Sequence, residues 1–347
     1  MIKKYNIAVV GATGAVGEEL FIVLEDMNFP INNILPLASK DSVGMEIEYG
    51  GLTYYIEELT EDTFKDANID IAFFSAGGSI SAKYVKYAVD SGAIVIDNTS
   101  FFRNDKDIPL IVPEVNPEDI KHYINKGIIA NPNCSTIQMV QIIKPIFDLY
   151  NIKRIDVSTY QAVSGAGKKG IEELLKQTTN FLNFNLNDIK AEAFQHTIAF
   201  NVIPHIDTPQ DNGYTKEEMK MVKETNKILH SNMAINATCV RVPVLRSHSE
   251  SITITVDKDI DIDLEKVINS LEKFENIKVI NSLEDNEYPM PNIATSTDYT
   301  YVGRIRKDIY DKNIVHLWGV ADQIRIGAAT NAVRIAKKLI KILNELQ

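Results

Sequence analysis

The chain opens with a unit that few folds can accommodate. Ile7-Ala8-Val9-Val10 reads as a strand and Gly11-Ala12-Thr13-Gly14-Ala15-Val16-Gly17 as a turn. Glu18 to Asp26 follows as a helix and Ile34 to Ala38 as a second strand. A strand–helix–strand order of this length implies parallel pairing, because the chain must cross over the sheet before it can run in the same direction again. Glycines at G-x-x-G-x-x-G spacing let the backbone approach a pyrophosphate, which then rests on the N-terminus of the helix. The spacing departs from the commoner G-x-G-x-x-G, so the strand–turn–helix context carries the reading and the motif alone does not. An NAD-specific site usually has Asp or Glu at the end of the second strand. Here that end reads Ser39-Lys40-Asp41-Ser42. Hydroxyls and a lysine suit the 2′-phosphate of NADP, while Asp41 opposes it; a solvated turn is the plain alternative.

The alternation continues. Ile69 to Phe74 ends in Ser75-Ala76-Gly77-Gly78, a helix spans Lys83 to Ser91, and Ala93 to Ile96 ends in Asp97-Asn98-Thr99-Ser100. Small and polar residues at the carboxyl ends of parallel strands line the ligand crevice of a doubly wound sheet. Arg103 follows directly and is placed to enter it. Val112 to Pro117 is a turn-rich connection. Next comes Asn131-Pro132-Asn133-Cys134-Ser135-Thr136, after the apolar Gly127 to Ala130 and before an amphipathic run from Ile137 to Phe147. That order puts Cys134 at the mouth of a helix. Unpaired N–H groups and the positive end of the helix dipole favour thiolate there, and the same N–H groups suit an oxyanion. A buried structural cysteine is the alternative; the motif favours a nucleophile.

Beyond the cysteine helix the texture changes. Arg154 to Tyr160 alternates like a strand, Gln161 to Gly167 turns into a helix from Lys168, and residues 180–210 show little periodicity. Thr215 to Leu229 is helical, with Glu217 and Lys220 three apart on one face, by default a surface ion pair of little worth. Thr238 to Val256 reads as two strands bent at Pro243 and around Ser247-His248. Long β segments of this kind indicate an α+β second domain with a broad antiparallel sheet. A cationic amphipathic helix, Ala328 to Leu346, could return to the first domain. His196 and His205 have no ligand partner at usable spacing, so no metal site is expected.

Length agrees with two domains, since 347 residues divide into about two of roughly 150. A net charge of −11 argues against nucleic acid, which needs a basic face. Two cysteines, Cys134 and Cys239, cannot build a disulfide framework, which points to a reducing, cytoplasmic setting. Glycines cut short the apolar stretch after Lys3 and Lys4, so neither a signal segment nor a membrane span is expected.

The ordered series GATGAVG, SAGG, DNTSFFR, VPEVN, NPNCST, TYQAVSGAG, IPHID, EEMK, CVRVPVLRSHSES and DQIRIGAATN resembles the aspartate-semialdehyde dehydrogenase family over essentially the whole chain. The resemblance implies an α/β Rossmann-type dinucleotide-binding domain (1–133 and 327–347). It implies also an α+β catalytic and dimerisation domain (134–326) with a large, mostly antiparallel sheet. It further implies a homodimer, with a tetramer open, and NADP-dependent reduction of aspartyl phosphate to aspartate semialdehyde in the branch leading to lysine, diaminopimelate, threonine and methionine. Cys134 would carry the acyl group and His248 would be the base, for which a pKa near neutrality is expected. By resemblance Gln161 holds substrate, Arg241 grips its α-carboxylate and Glu217 its ammonium, while Arg103, Lys220 and Asn133 surround phosphate. Arg246 lies off the site. Gly11, Thr13, Gly14, Ala15 and Val16 line the pyrophosphate turn, and Ser39, Lys40 and Ser42 face the 2′-phosphate. Ser75 and Gly77 line the crevice, and Ser164, Gly165 and Asn331 approach the nicotinamide. N-acetyl-glutamyl-phosphate reductase shares this chemistry but has a different cysteine setting and a substrate lacking free ammonium. Glyceraldehyde-phosphate dehydrogenase has two threonines after its cysteine, and a non-catalytic dinucleotide sensor would not need Cys134, Gln161, Arg241 and His248 together.

Overall fold

The computed structural model describes residues 3–345 and divides into two compact units, one running up to Asn133 and resuming at Ala328, the other spanning Cys134–Gly327. The first unit contains β1 (Tyr5–Val10), α1 (Ala15–Asp26), β2 (Ile31–Ala38), β3 (Glu46–Tyr49), β4 (Leu52–Tyr55), β5 (Glu57–Glu58), β6 (Ile71–Phe74), α2 (Gly78–Asp90), β7 (Ile94–Asp97) and β8 (Ile128–Ala130). Six of these strands pair in the order β5-β2-β1-β6-β7-β8, every pair parallel. The order reverses direction between β1 and β6, the point at which loops diverge and leave a crevice in such sheets. Ile7, Val9, Ile71, Phe73 and Ile96 from the sheet meet Leu20 and Leu24 of α1. Ala332, Val333, Ala336 and Leu339 of the C-terminal helix, Thr330–Glu345, join the same core.

Three boundaries differ from the sequence expectation for identifiable reasons. Helix α1 starts at Ala15 rather than Glu18, with Gly14 as its N-cap, so the glycine loop is partly the helix's own first turn. Helix α2 starts at Gly78 rather than Lys83, directly after Gly77 with φ +96°. The C-terminal helix begins at Thr330 rather than Ala328 because Arg325–Ala329 forms a π-helical turn, and Leu346 lies outside the described residues.

The second unit contains α3 (Cys134–Phe147), β9 (Ile152–Gln161), α4 (Lys168–Leu182), α5 (Lys216–Ile228), β10 (Ala234–Arg241), β11 (His248–Val256), α6 (Leu264–Lys273), β12 (Ile277–Val279), α7 (Pro291–Ala294), β13 (Thr300–Lys307) and β14 (Ile314–Ala321). Its sheet has the order β10-β9-β11-β14-β13-β12. The three inner pairings are antiparallel and the two edge pairings parallel, so the sheet is mixed, with antiparallel pairs in the majority.

Helix α3 corrects a second expectation. It is buried at every position from Ser135 to Ile143, not on one stripe. Helix α3 packs on strands β11, β13 and β14 and on helices α5 and α6, so no face is left to solvent. The close fit shows at Gly319 of β14, where a Cβ would come within 2.3 Å of Ile142 Cδ1. Among the described residues no helix is long and apolar enough to cross a membrane.

Candidate active site

Strand register gathers the chemistry of the second unit. Arg241 of β10 lies opposite Gln161 of β9. Ser249 of β11 pairs with Tyr160, so the next step sets His248 beside Gln161, and His248 pairs with Ala321 of β14. One row of the sheet therefore reads Arg241, Gln161, His248, Ala321. Side chains in a strand alternate faces, so the row two residues along shares that face. It reads Cys239, Thr159, Glu250, Gly319, and the row after it Ala237, Val157, Ile252, Leu317. The face passes from charged to polar to apolar, and its polar end carries the residues singled out by sequence.

Helix α3 delivers Cys134 and Ser135 to that end. Cys134 is partly exposed, and Gly327 lies against it: a Cβ there would come within 2.6 Å of Cys134 Cβ. Gln161 Nε2 donates to Ser135 Oγ at 2.9 Å and to Glu217 Oε1 at 3.2 Å. Glu217 and Lys220 stand on α5, whose start is fixed by a capping box between Thr215 and Glu218. Glu218 also accepts from the Cys239 N–H at 3.0 Å and so ties α5 to β10. The Glu217–Lys220 pair is not on the surface. Their separation is 2.9 Å, with side-chain exposures of 7% and 17%, and Lys220 also meets Asp207 at 2.7 Å. Burial works against the ammonium, but the two carboxylates outweigh it and the Lys220 pKa is raised.

Arg241 is buried, stacks over Phe194 at 5.7 Å and donates from Nη1 to the Ala162 carbonyl at 2.7 Å. The N–H of that same Ala162 donates to His248 Nδ1 at 3.0 Å. His248 does not have the near-neutral pKa expected of a base. Burial, then the neighbouring Arg241 charge, lower it to about 3, against smaller opposing effects of Glu217 and the Ser247 backbone. Arg246 turns away to Asp322, 2.7 Å distant.

In the first unit, Gly11 has φ +88°, and a Cβ on it would stand 2.9 Å from Ala76 N. The β1 and β6 loops thus touch through bare backbone, and only glycine permits it. A Cβ on Gly17 would lie 2.0 Å from Gly11 O, which seats the first turn of α1 directly on the loop. No side chain caps α1. Thr13, Gly14, Ala15 and Val16 are exposed or partly so around that end, which leaves helix N–H groups for an anion. These residues fit a dinucleotide pyrophosphate. Ser75 holds the Val10 carbonyl through its N–H at 2.9 Å and its hydroxyl at 3.1 Å, closing the other side of the crevice. Ser39 precedes a 3₁₀ turn, Lys40–Ser42, and Ser39, Lys40 and Asp41 are exposed there.

Residues 6–123 match the semialdehyde dehydrogenase NAD binding domain family and residues 143–326 the semialdehyde dehydrogenase dimerisation domain family. The aspartate-semialdehyde dehydrogenase of Campylobacter jejuni is 60% identical over 345 residues, 99% of this chain and 100% of that protein. That of Aquifex aeolicus is 50% identical, over 97% and 98% of the two chains. The crystal structure of aspartate semialdehyde dehydrogenase II from Vibrio cholerae, complexed with ASA, superposes with a TM-score of 0.93 at 47% identity, covering 98% of this chain and 99% of that one. The chain belongs to the aspartate-semialdehyde dehydrogenase family.

Against that membership the site residues sort by unit. Cys134, Gln161, Glu217, Lys220, Arg241 and His248 lie in the second unit, and all but Cys134 and Lys220 are buried. Arg103 and Asn133 lie in the first, where Arg103 is anchored by the carbonyls of Asn131 and Asn98 at 2.8 and 2.7 Å. Asn331 of this aspartate-semialdehyde dehydrogenase family member is internal to the first unit, its amide donating to Ile111 O and Asn131 Oδ1. Gly165 lies against Arg241 and His248: a Cβ would sit 2.7 Å from Arg241 Nη1 and 3.2 Å from His248 Nε2.

Sequence reasoning missed Gln323. Its amide donates to Ser164 Oγ and its oxygen accepts from the Ser247 N–H at 2.8 Å, so it pins the turns on either side of the imidazole. Ser247 has φ +77°, a strained value for a non-glycine residue that this clip helps hold. Neither this clip nor the double role of Ala162 has a sequence signature, because one depends on a single amide and the other on backbone atoms.

Proposed function

We propose that the protein reduces L-aspartyl-4-phosphate to L-aspartate 4-semialdehyde with NADPH, through a thioester on Cys134, as a step of aspartate-derived amino-acid biosynthesis. The observation that carries this reading is the alignment of Arg241, Gln161 and His248 in one row at the end of the sheet to which α3 brings its first residues. Cys134 attacks the acyl carbon and displaces phosphate. Arg241 takes the α-carboxylate with its planar fork, and Glu217 takes the ammonium. Arg103, Asn133 and Lys220 serve the phosphate, with Asp207 and Glu217 keeping Lys220 protonated. The cofactor, when bound, supplies hydride to the acyl carbon. A substrate without a free ammonium would leave Glu217 without that partner, which favours aspartyl over N-acyl glutamyl phosphate. The homodimer is assigned to the second unit, whose sequence matches the family's dimerisation domain.

The test is phosphate-dependent formation of NADPH from aspartate semialdehyde, run beside NAD and repeated with Lys40→Ala. NADP is preferred, and the preference shrinks in the variant because Ser39, Lys40 and Ser42 hold the 2′-phosphate. Equal rates with both cofactors would overturn that assignment, and no phosphate dependence would overturn the reaction itself.

Gly165→Ala probes the carboxylate site separately. The added methyl meets Arg241 Nη1 at 2.7 Å, and Arg241 is held from behind by Ala162 O and Phe194. The KM for aspartate semialdehyde should rise roughly tenfold to a hundredfold, the scale of a weakened charge-assisted hydrogen bond. The KM for NADP should change little. If the cofactor constant moves instead, Gly165 serves the nicotinamide as the family resemblance implies.

A further inference from the structure

The buried stripe of α4 is made of Gly170, Glu173, Leu174 and Gln177. Spacings of three and four put them on one face, where an amphipathic helix ordinarily carries apolar side chains. A glutamate and a glutamine buried there are costly unless their polar atoms find partners. They find them in the segment that follows the helix. Glu173 Oε2 accepts from the N–H of Glu192, at 2.9 Å, and from that of Ala193. Gln177 Oε1 accepts from the N–H groups of Ile198 and Ala199 at 2.9 and 3.1 Å. The Gln177 amide donates to Lys190 O at 2.8 Å and to Glu173 Oε1 at 2.9 Å. Two side chains thus supply the bonds that a neighbouring strand would supply, to a stretch with no strand or helix of its own.

That stretch, residues 190–203, holds Arg241 twice. Ile203 exchanges both backbone hydrogen bonds with Arg241, at 2.9 and 2.8 Å. Phe194 lies over the guanidinium, its ring centroid 5.7 Å from Arg241 Cζ. The ring is itself seated against Val163, Leu174, Ile198, Ala199 and Ile203. A Cβ on Gly170 would come within 3.1 Å of Phe194 Cζ, so α4 has a glycine where the tip of the ring reaches it. One face of the guanidinium is therefore taken by Phe194, and one N–H, on Nη1, by Ala162 O at 2.7 Å. To grip a carboxylate with two N–H groups, the plane of the fork must be set. An aromatic face sets it by attracting the cation, more strongly where water is excluded. A stacked arginine has also lost its rotamer freedom before substrate arrives.

We propose that residues 190–203 form a strap that sets the plane of Arg241 for the substrate's α-carboxylate. Phe194 is the positioning residue that touches the guanidinium, and Glu173 is the pin that keeps Phe194 in place. The proposal rests on the assignment of Arg241 to that carboxylate under the proposed function. Phe194 acts through Arg241, and Glu173 acts through Phe194. Neither touches the thiol or the substrate, so the strap governs substrate affinity and leaves the chemical steps unchanged.

The experiment is steady-state kinetics with aspartate semialdehyde, phosphate and NADP. The variants are Phe194→Leu, Glu173→Ala and Arg241→Lys, together with Phe194→Leu combined with each of the other two. Leucine keeps an apolar side chain on the strap and removes the aromatic face. In Phe194→Leu the KM for aspartate semialdehyde should rise roughly tenfold to thirtyfold, the scale of a desolvated cation–π contact, with kcat and the KM for NADP within about twofold. Glu173→Ala should raise the same constant about threefold to tenfold, and trypsin should cut after Lys190 sooner than in the unsubstituted protein. Lysine at position 241 keeps the charge but has no planar fork to stack. Adding Phe194→Leu to Arg241→Lys should therefore change kcat/KM by less than about twofold, and so should adding Glu173→Ala to Phe194→Leu.

An equal effect of Phe194→Leu in both backgrounds would overturn the proposal, because Phe194 would then act without the guanidinium. So would a fall in kcat, or a rise in the KM for NADP, in place of the substrate effect. If Glu173→Ala folds poorly, the cycle between Phe194 and Arg241 still decides the role of the strap. Arg241→Lys with an unchanged KM for aspartate semialdehyde would instead overturn the assignment of Arg241 to the carboxylate. A large effect of Arg241→Lys beside none of Phe194→Leu would keep that assignment and sink the strap.

Discussion

Cys134→Ala should fold normally and lose turnover on the order of 10⁶-fold, the scale on which removing a nucleophile acts when the surrounding site survives. The fold should tolerate the change because alanine adds nothing beyond the Cβ that already lies against Gly327. Intact-protein mass spectrometry after mixing with aspartyl phosphate should show one added aspartyl group on the unsubstituted protein and none on the variant, with matching thermal melts. Cys239 is the internal control. It is buried, and burial followed by the carboxylate of Glu217 pushes its thiol pKa well up, so it is neither accessible nor ionised. Iodoacetamide should label Cys134 and leave Cys239 unmodified in the native protein. An acylated Cys134→Ala protein would mean that another side chain carries the acyl group.

The sequence disclosed those parts of the fold whose signal is local. The β1–α1–β2 unit was legible because strand, glycine loop and helix are contiguous and glycine is obligatory where Gly11 meets Ala76. Cys134 was legible as the start of a helix because Asn131-Pro132-Asn133 ends the strand abruptly. Helix α3 was misjudged as amphipathic because its burial depends on β11, β13, β14, α5 and α6, elements remote in sequence. The Glu217–Lys220 spacing gave the pairing but not its burial, since burial depends on α5 docking against β10 through Glu218 and the Cys239 N–H. His248 shows the limit most clearly. Residue type suggested a base near neutrality, whereas the state of the ring is set by an N–H of Ala162, 86 residues away, and by full burial. Residue types nominate candidates for a site, but proton location is written in three-dimensional contacts.

Glu250→Gln should stabilise the protein by an amount that grows with pH. Glu250 is fully buried in the row beneath Arg241, Gln161 and His248, and burial raises its pKa well above 4.5, eased only by the nearby Gln138. Neither carboxyl oxygen and neither amide atom of Gln138 completes a well-formed hydrogen bond within the described residues, so the nearby Gln138 compensates an ionised form only weakly. A carboxyl with a raised pKa holds its proton in the folded state after the unfolded chain has released it. Stability is therefore full below about pH 4.5 and falls as pH rises towards the folded pKa, by about 1.4 kcal/mol per pH unit for one proton. His248 acts in the opposite direction. Its folded pKa of about 3 lies below the unfolded 6.5, so stability falls as pH drops below 6.5. Between pH 4.5 and 6.5 the two contributions cancel in the unsubstituted protein, and above 6.5 only that of Glu250 remains. Glutamine removes the Glu250 branch and keeps the shape and neutrality of the protonated acid. Paired urea titrations at pH 4, 6 and 8 should show a difference near zero at pH 4 that widens in favour of the variant. A difference independent of pH would mean that Glu250 is ionised in the folded protein. The row below Arg241 and His248 would then carry a negative charge, set against the Arg241 charge that, after burial, disfavours a charged imidazole.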